Sequence, residues 1–365
     1  ETMLNKTISK VQTDKKAKQK TRQWWNSYWK RSYVFIDSGK IGSDYWKVGR
    51  NYQLFRYMLG CNAYGSEPTK FNGGLFTFDP VHIDSTRVFT PDFRLWGGGT
   101  MTAQNQRLVY FPMLKSGDFD MMKPQFDFYE RMLDNAKLRT KVYWNHGGAC
   151  FSEQIENFGL PNLAEYDWKP RHEGFPIGVD SNPWLEYTWD TALEFALMMF
   201  DAHLYNNEPI VPHLPFIESL LTFFDEHYSY LALRRGTNKL DGDGHLVLYP
   251  GSACETYKMA TNATSTVAAL KVITEKLLEL PELDATQREH WSGFLKRIPP
   301  ISHREVQGKK TISPAKMWER INNSEVPSLY PVYPWRIYGI GQPELQTAIN
   351  TYLYDPEAIE FRSHI

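Results

Sequence analysis

"GHLVLYPGSACETYKMATNATSTVAALKVI", residues 244–273, changes character halfway. The first half holds two glycines and a proline and follows no hydrophobic period. The second half sets Val267, Leu270 and Ile273 on one face, continues to Leu277 and stops at Pro281, which predicts a helix. One carboxylate, Glu255, stands in the irregular half, beside Cys254 and two residues before Tyr257. A charge placed between an apolar, strand-like run and an apolar helix asks for a reason.

Outward from that stretch the helical spacing recurs. Residues 44–65 carry Tyr45, Tyr52, Phe55 and Leu59 at helical intervals. Residues 103–144 read as two helices broken at Lys115–Asp118. Residues 184–207 read as a strongly apolar helix ended by Asn206-Asn207, with residues 212–228 as its neighbour, and 342–355 as a short terminal helix. Between them run long loops rich in glycine and rings: "FNGGLFTFDP" (71–80), "DFRLWGGGT" (92–100), "WNHGGACFSEQIENFG" (144–159) and "YPVYPWRIYGIG" (330–341). Loops of that length in a compact domain usually carry function. Paired helices with elaborate loops at one end predict an all-α fold, an (α/α)6 toroid in which an outer ring of helices wraps an inner one. No β/α alternation supports a parallel sheet. The basic segment 1–22 is expected to be a linker or solvated helix, and 23–365 the catalytic domain.

Composition narrows the function. The chain has 365 residues, 42% of them hydrophobic, enough for a large core. Forty-one Lys and Arg against 42 Asp and Glu leave a net charge of -1, which does not mark a nucleic-acid binder. Three distant cysteines make neither a zinc spacing nor a disulfide framework, and no metal or organic cofactor is expected. No run of about eighteen apolar residues predicts a membrane span. The chain opens on Glu1, so a mature product or an excised domain is expected, with a secreted or periplasmic location favoured. Aromatic residues reach 15%, which fits either a ring-rich core or a cleft that stacks rings on the C–H faces of sugars.

Carboxylates then stand out in the aromatic loops. Glu153 and Glu156 lie three apart and would share a face if their segment were helical. Glu255 and Glu325 lie in other loops, and Asn105 and Gln106 enter an apolar helix. Carboxylates at several corners suit glycosidic cleavage: one acid protonates the leaving oxygen, and a second group activates water or attacks the sugar. Nearby rings can raise the acid's pKa by desolvation. No nucleophile elbow, P-loop or dinucleotide fingerprint competes.

These segments resemble the six-hairpin glycoside hydrolases, most closely the inverting α-L-fucosidases of glycoside hydrolase family 95. "TRQWWNSYWKRSYVFI" (21–36) is similar to the Trp-rich entry of that catalytic domain, and 104–132 to its Asn-x-Asn-x-Gln segment. "GGACFSEQIENFG" (147–159), "LYPGSACETY" (248–257) and "PSLYPVYP" (327–334) are similar to three further segments in the same order. The resemblance implies Glu255 as general acid, Asn105 helping to hold the attacking water and Glu156 at a conserved acidic position; Glu325 or Glu156 is then expected as the base or water-orienting group. Gln106, Glu153, His146, Trp96, Trp189, Tyr333 and Arg336 complete the expected sugar-binding set. The chain departs at Ala103, where the family has the first asparagine, and at Ser152-Glu153, where it has two histidines. The run Glu325-Val-Pro-Ser-Leu-Tyr resembles an uncharacterised bacterial branch. An exo-acting hydrolase of plant, algal or host glycans, fucosidase- or galactosidase-like, is the expectation. An N-terminal β-sandwich is a possible companion domain. A non-catalytic carbohydrate-binding toroid and a polysaccharide lyase or sugar epimerase stay open as rivals.

Overall fold

Leu193 to Ala202 are buried without interruption, so the helix that carries them is enclosed on every side. It belongs to a computed structural model that describes residues 2–36, 40–62, 64–69, 85–86, 101–161 and 173–356. In chain order the described helices are α1 (Thr2–Thr13), α2 (Ala17–Arg31), α3 (Asp44–Asn62), α4 (Ala103–Ser116), α5 (Lys123–Arg131), α6 (Leu133–Trp144), α7 (Thr191–Asn206), α8 (Leu214–Arg234), α9 (Thr264–Glu279), α10 (Ala285–Arg297) and α11 (Leu345–Tyr354). The architecture is predominantly helical, as the periodicity predicts.

The helices divide into two kinds. Helices α4, α7 and α9 are packed side by side, α7 touching both others, and α7 and α9 bury most of their length. Helix α8 buries one stripe, including Phe216, Leu220, Phe223, Phe224 and Tyr228, and lies against α6 and α7. Helix α10 buries only Trp291 and Phe294 and covers α9. It escaped the sequence reading although its start is well marked: Asp284 accepts from the Gln287 amide at 2.8 Å and Gln287 returns a bond to the Asp284 N–H, a capping box.

Stops follow local chemistry. Gly117, at φ 72°, ends α4 and donates to the Met113 carbonyl, inside the expected break. Asn207, at φ 54°, ends α7. The expected helix over 184–207 begins only at Thr191. The helix expected over 44–65 forms as Asp44–Asn62, with Leu59 buried and Tyr45 72% exposed, so its apolar spacing does not define one buried face. Helix α1 buries nothing, and α2 runs through the boundary at residue 22 into the ring cluster of Trp24, Trp25 and Tyr28.

Seven short strands were not anticipated: β1 (Met101–Thr102), β2 (Gln154–Ile155), β3 (Gly251–Ala253), β4 (Tyr257–Ala260), β5 (His303–Val306), β6 (Lys309–Ile312) and β7 (Arg320–Ile321). All pair antiparallel, in the order β1-β2, β3-β4-β7 and β5-β6. They are clasps between loops rather than a layer of the core. Glu153 and Glu156 therefore flank an extended pair of residues rather than sharing a helical face.

The loop into β2 is held by Gly148. Its φ is 82°, and a Cβ there would meet the Phe223 backbone nitrogen at 2.2 Å. Gly148→Ala is expected to cost about 2 kcal/mol or more in urea unfolding. Gly293→Ala, inside α10 with its nearest foreign atom at 3.4 Å, should leave stability unchanged or raise it. Equal effects of the two would refute the close approach.

Candidate functional site

Glu255 occupies the tip of a hairpin. The turn Cys254–Thr256 joins β3 to β4, with Cys254 at φ 52°. That answers the opening puzzle: the irregular run is a tight β-turn, which carries the carboxyl out of the strand pair before α9 begins.

Pairing brings Glu325 to the same tip. Strand β7 aligns Ile321 with Tyr257 and Arg320 with Lys258, and the Asn322 N–H donates to the Thr256 carbonyl at 2.8 Å. Three residues beyond Asn322, Glu325 accepts from the Glu255 N–H at Oε2 (2.8 Å) and from Thr256 Oγ1 at its carbonyl (3.0 Å). The other Glu325 oxygen accepts from the Gln104 amide and lies 3.6 Å from the Arg107 guanidinium. Asn323 Nδ2 donates to Glu255 Oε2 at 2.6 Å.

The starts of three helices meet here. The Ala103 N–H of α4 donates to the Glu153 carbonyl at 2.8 Å, next to the β1–β2 pairs Met101–Ile155 and Thr102–Gln154. Asp190, just before α7, accepts from Ser265 and Thr266 of α9 at 2.9 and 2.8 Å. Helix N-termini favour negative charge, so a carboxylate cluster belongs at such a junction. Arg107 of α4 donates to Glu194 of α7 at 2.7 Å and lies over the Tyr330 ring at 5.2 Å.

Beneath the cluster lies Lys258, fully buried. Its ammonium donates to Trp184 O (2.5 Å), Ser252 Oγ (2.6 Å) and Thr188 Oγ1 (3.1 Å), with Glu186 O and Cys254 O at 3.3 and 3.4 Å. Burial lowers its pKa to about 8, against the pull of Glu153, Glu255 and Glu325. Burial, and then the Glu325 charge, raises Glu255 to about 7, while Lys258 and Asn323 pull it down. Glu153 is pushed well above the carboxylate range by burial, then by Glu255 and Glu325. Both its oxygens are buried without a hydrogen-bond partner among the described residues.

The space these groups enclose, about 10 Å³, admits about one water molecule. Beside it, sharing Arg107, Glu194 and Tyr330, is a hollow of about 440 Å³ walled by Leu108, Phe111, Pro112, Tyr333 and Pro334. That is the size of a small-ligand pocket.

Of the residues singled out in the sequence, Glu153, Glu255 and Glu325 come together, and Tyr333 lines the adjoining hollow. Glu156 does not join them: its N–H and carbonyl close a turn with Leu160 and Gly159, beyond β2. Asn105 is one residue from Gln104, which makes the contact instead; one helical step turns the side chain away by about 100°. Gln106 faces inward to Thr69 and the Tyr129 hydroxyl. His146 pairs with His227 at 2.9 Å, and Trp189 lies buried against the same histidine and Phe223, away from the carboxylates. Arg336 is paired with Asp201. Trp96 lies outside the described residues.

Lys258, Arg107, Gln104, Asp190 and Glu194 were not anticipated. A usable signal existed for Arg107 and Glu194: each is a charge inside an apolar helical run, and such charges are buried only when paired. Against known proteins, no family model matches the chain, and no curated protein matches it significantly.

Lys258→Met would leave several buried acceptors without a donor. It should destabilise the chain by about 3–5 kcal/mol and raise the Glu255 pKa further, because the lysine charge holds it down. Urea unfolding and carbon-detected NMR titration of the glutamates read the two effects, and parent-like stability would refute the anchoring role.

Proposed function

We propose that the chain is a glycoside hydrolase, exo-acting and inverting, with Glu255 as general acid and Glu325 as general base. The observation that carries this reading is a half-buried carboxyl, raised to about 7, whose own backbone N–H holds a second carboxylate. A general acid must keep its proton near the working pH, and Glu255 meets that demand by burial and by the charge of Glu325. Every partner of the Glu325 carboxylate among the described residues is a donor, which suits an anion.

In the proposed step Glu255 gives its proton to the leaving glycosidic oxygen as the C–O bond breaks. Water attacks the anomeric carbon from the opposite face and passes its proton to Glu325. The aromatic hollow beside Arg107 would seat the sugar ring. Glu156, the rival base, lies outside this arrangement. The toroid is part of the same proposal: α4, α7 and α9 would belong to the inner ring, with α6, α8 and α10 outside it, and the N-terminal ends of the inner helices would carry the site.

A uronate-cleaving lyase fits less well. Among the described residues lining the cavity Arg107 is the cation, and Glu194 and Glu325 already engage it.

A screen of aryl glycosides and plant, algal and host oligosaccharides is the direct test. Activity needs Glu255 protonated, so log kcat/KM should fall as pH rises through about 7. Glu255→Gln should abolish that limb and cut turnover on poor leaving groups by about a hundred- to ten-thousand-fold. Proton NMR of the first-formed anomer should show inversion. Net retention, or a fully active Glu325→Gln, would overturn the mechanism.

The same shift has a stability consequence. The folded pKa of Glu255 exceeds the ordinary glutamate value of about 4.5, so its protonation stabilises the fold fully below about 4.5, and that contribution is lost as pH rises through about 7. Glu255→Gln should flatten the pH dependence of the urea midpoint across this window; an unchanged slope would place the titration elsewhere.

A further inference from the structure

Five carboxyl groups line the narrow cavity: Glu153, Asp190, Glu194, Glu255 and Glu325. Two cations offset them, and both are committed internally. Arg107 is shared between Glu194 and Glu325, and the Lys258 ammonium is surrounded by carbonyl and hydroxyl oxygens. Asp190 is satisfied by two hydroxyls, and Glu325 by three donors.

Three carboxyl oxygens are left over, beside the Thr191 hydroxyl and the Trp335 ring N–H of the same lining, which also find no partner among the described residues. Both carboxyl oxygens of Glu153 and Oε2 of Glu194 are buried and accept no hydrogen bond among the described residues. Glu153 is 0% exposed and Glu194 3%. Unmet groups of this kind are costly and call for a partner. What is unmet here is chiefly carboxyl acceptor capacity; burial holds Glu153 towards its neutral form, and an incoming cation draws it to the anion. An ammonium brings three donors, no acceptor and a positive charge. A hydroxyl brings one donor and no charge, and a carboxylate or sulfate brings acceptors and like charge. An ammonium is also close to water in size, which matches a cavity of about 10 Å³.

Resting on the glycan reading above, we propose that the site takes an amino sugar with a free ammonium. Its nitrogen enters the cavity lined by Glu153 and Glu194, and its ring occupies the adjoining hollow against Phe111 and Tyr333. Acidic sugars are excluded by charge, and N-acetylated ones by size.

The experiment is an NMR titration of the intact chain with glucosamine and galactosamine, each beside its neutral parent, its N-acetyl form and the corresponding uronate, at a pH that keeps the amine charged. At least one hexosamine should bind about tenfold or more tighter than its neutral parent, as hydrogen bonds to charged groups allow. Glu153→Gln, which keeps the shape and cannot ionise, should bring that ratio close to one while circular dichroism reports an intact fold; Glu194→Gln is the second variant. Equal binding of amine and parent, tighter binding of the N-acetyl or uronate form, binding of no sugar, or a preference that survives both variants would overturn the proposal. Hydrolysis of neutral aryl glycosides without amine preference would reject it and keep the hydrolase reading. Amine-selective binding without hydrolysis of any glycoside, amino or neutral, would do the reverse.

Discussion

One buried ammonium organises this molecule's loops. Lys258, on β4, gathers oxygens from the segment 184–188 and from Ser252 and Cys254 across the hairpin, so the hairpin and the segment before α7 share one centre. Taking a lysine out of water costs several kcal/mol, and the fold offsets that only by surrounding it with acceptors and carboxyl charge. The hairpin, the turn before α7 and the position of Glu255 follow from the need to satisfy that one group. Its neighbour in the ladder, Arg320, pairs in register with it and so fixes where the chain to Glu325 begins.

The same centre opposes the upward shift that burial gives Glu255 and Glu153 above it. Glu255 feels three influences of different sign: burial raises its pKa, the Glu325 charge raises it further, and Lys258 lowers it. Glu153 lies deeper, with no donor, and is driven further into its neutral form. Glu325 takes its donors from α4 and from the Glu255 backbone. Three carboxyls within one small volume thus have three different surroundings, which is the usual way for acid and base roles to separate.

The helices were legible because each spans several turns of one period, as in Val267, Leu270, Ile273 and Leu277 of α9. The strands were not, because two to four residues carry too little alternation to be told from loop. That is why the Glu153–Glu156 pair was misread: a spacing of three puts two residues together on a helix but on opposite sides of an extended chain. Glu153 faces the cavity, and Glu156 turns away with the loop. Glu255 and Glu325 could be picked out because each is a charge beside turn-forming residues. The slip from Gln104 to Asn105 is of another kind: the segment was right, and the register of a helix start is not fixed by composition. Lys258 was missed because a lysine in "ETYKMA" looks solvated, and only the β3–β4–β7 pairing reveals that its side of the strand is sealed.

Arg107 joins the sealed centre to the open hollow. It binds Glu194, which lines both spaces, and reaches Glu325, which belongs to the inner one. Its guanidinium is planar and lies over Tyr330, so it cannot follow one carboxylate without altering its hold on the other. Arg107 holds Glu194 Oε1, so a ligand donor at the unfilled Oε2 shares that carboxylate with it rather than displacing it. Ligand placement in the hollow and the charge balance of the buried pair are linked through this one side chain. The helix it stands on supplies Gln104 to Glu325.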